Sequence, residues 1–178
     1  MTALSHDMTR LFGAGIVAVA GGLCDLRPCR RIPNALTFPA FFAGLIVSTV
    51  AGGWRGLASA LAASLIAFSI SILFFAAHAM GGGDVKLLAA VAAFLGMPYV
   101  FPQLIYTALI GGILGLIVAV WHGRLLATIK NVGLILSHHL SEGLRPHPTI
   151  NIGNPELRRV PYGAAIALAT IVVFFAGR

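Results

Sequence analysis

Between Arg55 and Asp84, and again between Lys86 and Arg124, the chain carries no Asp, Glu, Lys or Arg. Each stretch exceeds the roughly 20 residues a helix needs to cross the ~30 Å hydrocarbon core of a bilayer. In lipid, every backbone N–H and C=O must be satisfied within the protein, so such segments span as helices or as a closed barrel. The apolar runs are continuous rather than alternating, which selects helices. Composition agrees: 58% of the chain is hydrophobic and 10% charged, where soluble domains have about a quarter charged. The expected fold is all-α, a polytopic membrane protein with one membrane-embedded domain over residues 1–178.

Local breaks divide the apolar sequence into six expected transmembrane helices, at about 8–26, 35–52, 57–80, 85–100, 103–121 and 160–176. Pro33 suits the first turn of a helix, where its missing N–H costs nothing. Gly52-Gly53, Gly81-Gly82-Gly83 and the prolines Pro98 and Pro102 mark the turns that follow. Serines at 59, 64, 69 and 71 offer hydrogen bonds between helices, and Gly111, Gly112 and Gly115 permit close packing. Residues 122–159 are the long polar stretch. Within them Leu125, Leu126, Ile129, Leu136 and Leu140 keep a helical period beside basic Arg124 and Lys130, so an interfacial amphipathic helix is expected in this last cytoplasmic loop.

The charges orient this arrangement. Residues 11–23 have the length of a signal-peptide core, but Arg27, Arg30 and Arg31 follow it instead of leading it. Of the twelve Lys and Arg, all but Arg10, Arg55 and Arg178 fall on one side of the expected helices. By the positive-inside rule that side is cytoplasmic and the N-terminus lies outside. The net charge of +7 therefore reports topology, with membrane lipid as the partner and no nucleic acid. Cys24 and Cys29 have no second pair, and no zinc-ribbon pattern forms. His138, His139 and His147 lack ligands at suitable spacing and read as a solvated loop, so neither metal nor cofactor is expected.

Charge is scarce, and two of the five acidic residues adjoin apolar helices. Asp25 ends the first expected helix, and Asp84 follows the Gly81–Gly83 break. The topology puts both at the cytoplasmic boundary. Acids at membrane depth are expensive, and their presence points to function. Two carboxylates sharing one site resist double ionisation and hold a proton between them. One then acts as base towards water while the other polarises a carbonyl. The alternative for each is structural: Asp25 could pair with Arg27 or Arg30, and Asp84 could cap its helix. A different class also stays open, a small proton-coupled transporter or channel component whose acids relay protons. A non-catalytic assembly subunit is a third.

Three segments carry a resemblance. Gly81-Gly82-Gly83-Asp84-Val85-Lys86-Leu87-Leu88 resembles the second-aspartate motif of the prepilin peptidases, the GxGD-type membrane aspartic proteases. Asp25-Leu26-Arg27 with Arg31-Ile32-Pro33-Asn34-Ala35-Leu36-Thr37 is similar to the segment around their first aspartate. Val160-Pro161-Tyr162-Gly163 is similar to the motif that opens their final helix. The resemblance implies Asp25 and Asp84 as the catalytic pair. Gly81, Gly83, Lys86, Asn34, Pro161, Tyr162 and Gly163 are candidates for support, though a lysine so placed more often snorkels to the interface, Asn34 and Tyr162 equally suit a turn and an interfacial position, and Pro161 and Gly163 equally suit an ordinary helix start. It implies a prepilin or pseudopilin substrate cut at the cytoplasmic face of the bacterial inner membrane, with pilus assembly machinery nearby. Larger members carry an insert with paired CxxC motifs, associated with N-methylation, after the first helix. Here that loop is a few residues long, so peptidase activity without methyltransferase is expected, as in the minimal enzymes of Flp (tight-adherence) pili. An extended substrate held between the Gly81–Gly83 break and the Pro161–Gly163 helix start would expose its backbone for cleavage.

Overall fold

A computed structural model describes residues 2–26, 32–76, 80–123 and 161–176, with 125–126, 130 and 133–134. Most of the expected interfacial helix, the basic residues at 27–31 and the loop histidines lie outside the described residues. Among the described residues five helices carry the fold, α1 (Thr2–Asp25), α2 (Asn34–Ala76), α3 (Gly82–Leu95), α4 (Met97–Trp121) and α5 (Tyr162–Ala176), with further helical residues at 125–126, 130 and 133–134. Among the described residues there is no strand. By length and composition α1, α2 and α4 can cross a membrane, and α5 is a shorter apolar helix.

The 43-residue α2 is not one rod. Gly53 has φ 59° and ψ −145°, a conformation that side chains other than glycine rarely adopt. The chain reverses there, and Gly56 comes back against the Ser48 carbonyl with no room for a Cβ. The contacts with α3 trace the reversal. Along the first arm, Asn34 meets Lys86 and Ser48 meets Ala93; along the second, Ser59 meets Met97 and Ser64 meets Ala89. The two arms thus run in opposite directions along α3. They lie over the segments expected as helices at 35–52 and 57–80, of which 77–79 lie outside the described residues.

α3 is the centre. Leu87, Ala90, Val91 and Ala93 are fully enclosed, and its neighbours Leu88, Ala92, Phe94 and Leu95 nearly so. The arms of α2 flank it, α1 lies along it, and α5 packs between α1 and α4. Small residues let the backbones close in, as at Ala60, Ala63 and Ala67 of α2. Ser48 Oγ donates to Ala93 O at 2.8 Å and Ser64 Oγ to Ala89 O at 3.0 Å, adding direction to an otherwise apolar contact. Large apolar side chains such as Phe12, Ile46, Leu65, Ile105 and Phe175 face outward, the surface that lipid covers.

Two expectations need correction. The fourth helix is expected at 85–100 with a turn marked by Pro98 and Pro102, but α3 ends at Leu95 and α4 begins at Met97. Gly96, at φ 68°, makes the turn, while Pro98 occupies the opening positions of α4, where proline is preorganised rather than disruptive. The triple glycine is also not a break throughout. Gly81 is the N-cap in extended conformation, and Gly82 and Gly83 form the first turn of α3. Their lack of a side chain makes room: a Cβ on Gly83 would lie 3.2 Å from Ile32 Cβ, and one on Gly82 3.3 Å from the Phe75 ring.

Candidate active site

Three helix ends meet at one end of the molecule. α1 and α3 are antiparallel, with Gly13 beside Phe94 and Gly21 beside Leu87. Asp25, the last residue of α1, therefore stands at the end where α3 begins. α5 also begins there, since Gly22 lies against Gly163 O and the Ala167 side chain, each 3.1 Å from where its Cβ would be.

Asp25 is 8% exposed. Its Oδ2 accepts a hydrogen bond from the Gly163 N–H at 2.9 Å. That N–H belongs to the first turn of α5, whose donors have no partner within the helix and whose dipole favours negative charge. A Cβ on Gly163 would sit 2.8 Å from Asp25 Cβ and 3.2 Å from Oδ2. Only glycine brings the backbone close enough to donate.

Asp84 occupies the third position of α3 and folds back over its N-cap. The Gly81 N–H bonds to the Asp84 carboxylate, and Asp84 N–H donates to Gly81 O at 3.1 Å. This is the capping-box geometry with an aspartate in place of the usual Glu. Asp84 is half-buried and lies within the field of Asp25. The two carboxyl groups thus interact although 58 residues separate them in sequence, Asp84 in the first turn of α3 and Asp25 at the end of α1 against the start of α5. The capping role open to Asp84 is met, and the carboxylate stays within the field of Asp25.

The supporting residues divide. Gly81, Gly83 and Gly163 shape the site by close approach. Tyr162 is within the field of Asp84 and packs its ring on Gly111 of α4, where a Cβ would be 3.1 Å from Cε1. Pro161 precedes α5, and its carbonyl accepts from Ala165 N–H at 3.3 Å. Lys86 is turned to the side. Its Nζ donates to Asn34 Oδ1 at 2.9 Å and lies 5.7 Å from the Phe38 ring centroid, so the exposed pair ties α2 to α3 at the rim of the site. The sequence reading passes over Gly22, although Gly21-Gly22, three residues before Asp25, is a readable sign of close approach. Extension of a substrate along Gly81 meets an obstacle: the Gly81 carbonyl already accepts from Asp84 and Val85 N–H groups. Among the described residues no three His, Cys, Asp or Glu come together as a metal site.

Two carboxyl groups on separate helices thus share one helix-end junction, within each other's field. The sequence model of the type IV leader peptidase family matches residues 12–120, a span that includes both aspartates. The chain belongs to the type IV leader peptidase family. It is 33% identical over 138 residues to the prepilin leader peptidase/N-methyltransferases of two Burkholderia pseudomallei strains, 1026b and K96243, covering 69% of this chain and 44% of each relative. The protein of the same name from Neisseria gonorrhoeae is 34% identical over 101 residues, covering 52% of this chain and 35% of that one. The chain thus matches less than half the length of these curated relatives. No solved structure matches it.

Proposed function

We propose that this family member is a membrane aspartic endopeptidase that removes the leader of type IV or Flp-like prepilins. The observation that carries the reading is the interacting Asp25–Asp84 pair at the junction of α1, α3 and α5. One carboxylate takes a proton from the attacking water, and its protonated partner donates to the scissile carbonyl oxygen. The resulting tetrahedral intermediate collapses as a proton passes to the leaving amine. The pair titrates as a unit, so these roles belong to the dyad rather than to either residue. Gly163 N–H orients Asp25, and Gly81 N–H orients Asp84, which fixes both carboxyl groups before substrate arrives.

The chain forms a single inner-membrane domain of six spans, counting the arms of α2 separately. Its N-terminus is outside, and the aspartates face the cytoplasm with the basic loops. The amphipathic segment at 122–159 lies in the cytoplasmic interface. Supporting this reading are the excess of Lys and Arg on one side and the reversal at Gly53. Substrates are prepilins or pseudopilins, received from the lipid phase beside the pilus assembly machinery. The relatives are named for two activities, of which this chain carries the peptidase alone: the segment joining α1 to α2 is short and contains no paired CxxC.

Cleavage of a co-expressed prepilin by wild type, Asp25→Asn and Asp84→Asn tests the proposal. Loss of processing in both variants at unchanged protein level is expected. Processing that persists in either variant, or none by wild type with any prepilin, would overturn it.

A further inference from the structure

At the end of α3 opposite the aspartates, a charged side chain is built into the helix junction. Arg10, on α1, donates from Nε to Phe94 O at 3.0 Å and from Nη2 to Leu95 O at 3.4 Å. The last carbonyls of a helix have no partner within it and carry the negative end of its dipole. A guanidinium suits them because its donors form a rigid fork and its charge is permanent. The turn beyond is shaped around this contact. Gly96 has φ 68°, and a Cβ there would collide with Arg10 Nη2. Ser59 Oγ, from the second arm of α2, accepts the Met97 N–H at 2.9 Å. The junction of α3 and α4 is therefore held from α1 and α2 together.

The consequence follows from helix geometry. α1 carries Arg10 near one end and Asp25 at the other, about 22 Å apart at 1.5 Å per residue. α3 carries Phe94 near one end and Asp84 at the other, about 15 Å apart. Along the shared seam Gly13 and Gly21 meet Phe94 and Leu87 through apolar contact, which has no directional preference. The Arg10 bonds do have direction, and they join two stiff rods whose opposite ends hold the carboxyl groups.

We propose that Arg10 is a positioning residue: its clamp on the C-terminal carbonyls of α3 sets the axial register of α1 against α3, and with it the placement of Asp25 relative to Asp84. This rests on the peptidase reading above. Arg10→Lys keeps the charge but loses the fork, and Arg10→Gln loses the charge. Cleavage of a prepilin in proteoliposomes is measured for both, as kcat and KM separately and across pH, with thermal unfolding alongside. The expected result is a kcat lowered about tenfold or more in Arg10→Gln, the scale of loss for sub-ångström to ångström displacement of catalytic groups. KM is unchanged, Arg10→Lys recovers part of the rate, and the pH–rate profile changes shape as the coupling between the carboxyl groups changes. A lowered unfolding temperature with kcat and pH profile unchanged in the folded fraction would reduce Arg10 to a stabilising cap and overturn the inference. Should Arg10→Gln not accumulate, Arg10→Lys decides by the same criteria. Failure of the peptidase reading shows separately, as cleavage that survives Asp25→Asn or Asp84→Asn.

Discussion

Replacing Gly163 by alanine tests the site at its tightest point. The added Cβ would lie 2.8 Å from Asp25 Cβ and 3.2 Å from Oδ2, whereas carbon atoms in good contact are about 3.5–4.0 Å apart. α5 and the end of α1 must therefore separate by about 1 Å. Alanine favours helix over glycine by about 1 kcal/mol, but overpacking a tight contact costs about 1–3 kcal/mol, so the clash prevails or nearly balances. Stability falls modestly at most. Activity suffers more, because the same separation lengthens the 2.9 Å bond from Gly163 N–H to Asp25 and moves the carboxyl group away from Asp84. A displacement of that size can cost about 100-fold in rate. Gly112→Ala is the control, since a Cβ at Gly112 meets nothing within 4 Å. In a prepilin-cleavage assay in proteoliposomes, Gly163→Ala should lose about 10- to 100-fold in kcat/KM and Gly112→Ala should match wild type. Wild-type cleavage by Gly163→Ala would refute the argument that Asp25 is positioned through this backbone contact.

The pH dependence has a definite sign on both limbs. In the proposed mechanism cleavage requires one ionised and one protonated carboxyl group, so kcat/KM should fall at low pH as the base is protonated and at high pH as the shared proton leaves; a flat initial-rate profile across both limbs would contradict the dyad. Gly53→Ala places a side chain at φ 59° and should destabilise by about 1–3 kcal/mol, seen as a lower unfolding temperature in detergent with kcat in the folded protein little changed. Lys86→Met removes the exposed bond to Asn34 and should cost about 1 kcal/mol or less, leaving cleavage within a few-fold of wild type; a loss comparable with Asp84→Asn would return Lys86 to the chemistry.

Hydropathy and charge were enough to read helices, their approximate limits and the shared end of Asp25 and Asp84, because each follows from the solvent that surrounds the backbone. Gly52-Gly53 was legible as a reversal for the same reason: apolar segments flank it on both sides, and only a turn returns the chain to the bilayer. The α3–α4 junction was misplaced because proline and glycine compete as turn signals. Pro98 and Pro102 are the conspicuous turn letters, yet proline is tolerated in a helix's first turn and the positive φ of the real turn falls to Gly96. The partner of Asp25 was invisible for another reason. A backbone N–H has no letter in the sequence, so Gly163 showed as punctuation and not as a donor. Arg10 likewise read as a count in a charge balance, since its acceptors are carbonyls of Phe94 and Leu95, far away in the chain.

The length of α3 has a physical consequence for the surrounding bilayer. Its 14 residues rise about 21 Å, well short of a ~30 Å hydrocarbon slab. α3 is enclosed by the other helices, so lipid meets its longer neighbours and not α3 itself. On the proposed peptidase reading, the shortfall recesses the first turn, with Asp84, below the membrane surface. Solvent then reaches the dyad through a recess bounded by protein, and its depth follows the thickness of the surrounding bilayer. The rate of cleavage should then depend on acyl-chain length, with thicker bilayers slowing an enzyme whose fold is unchanged.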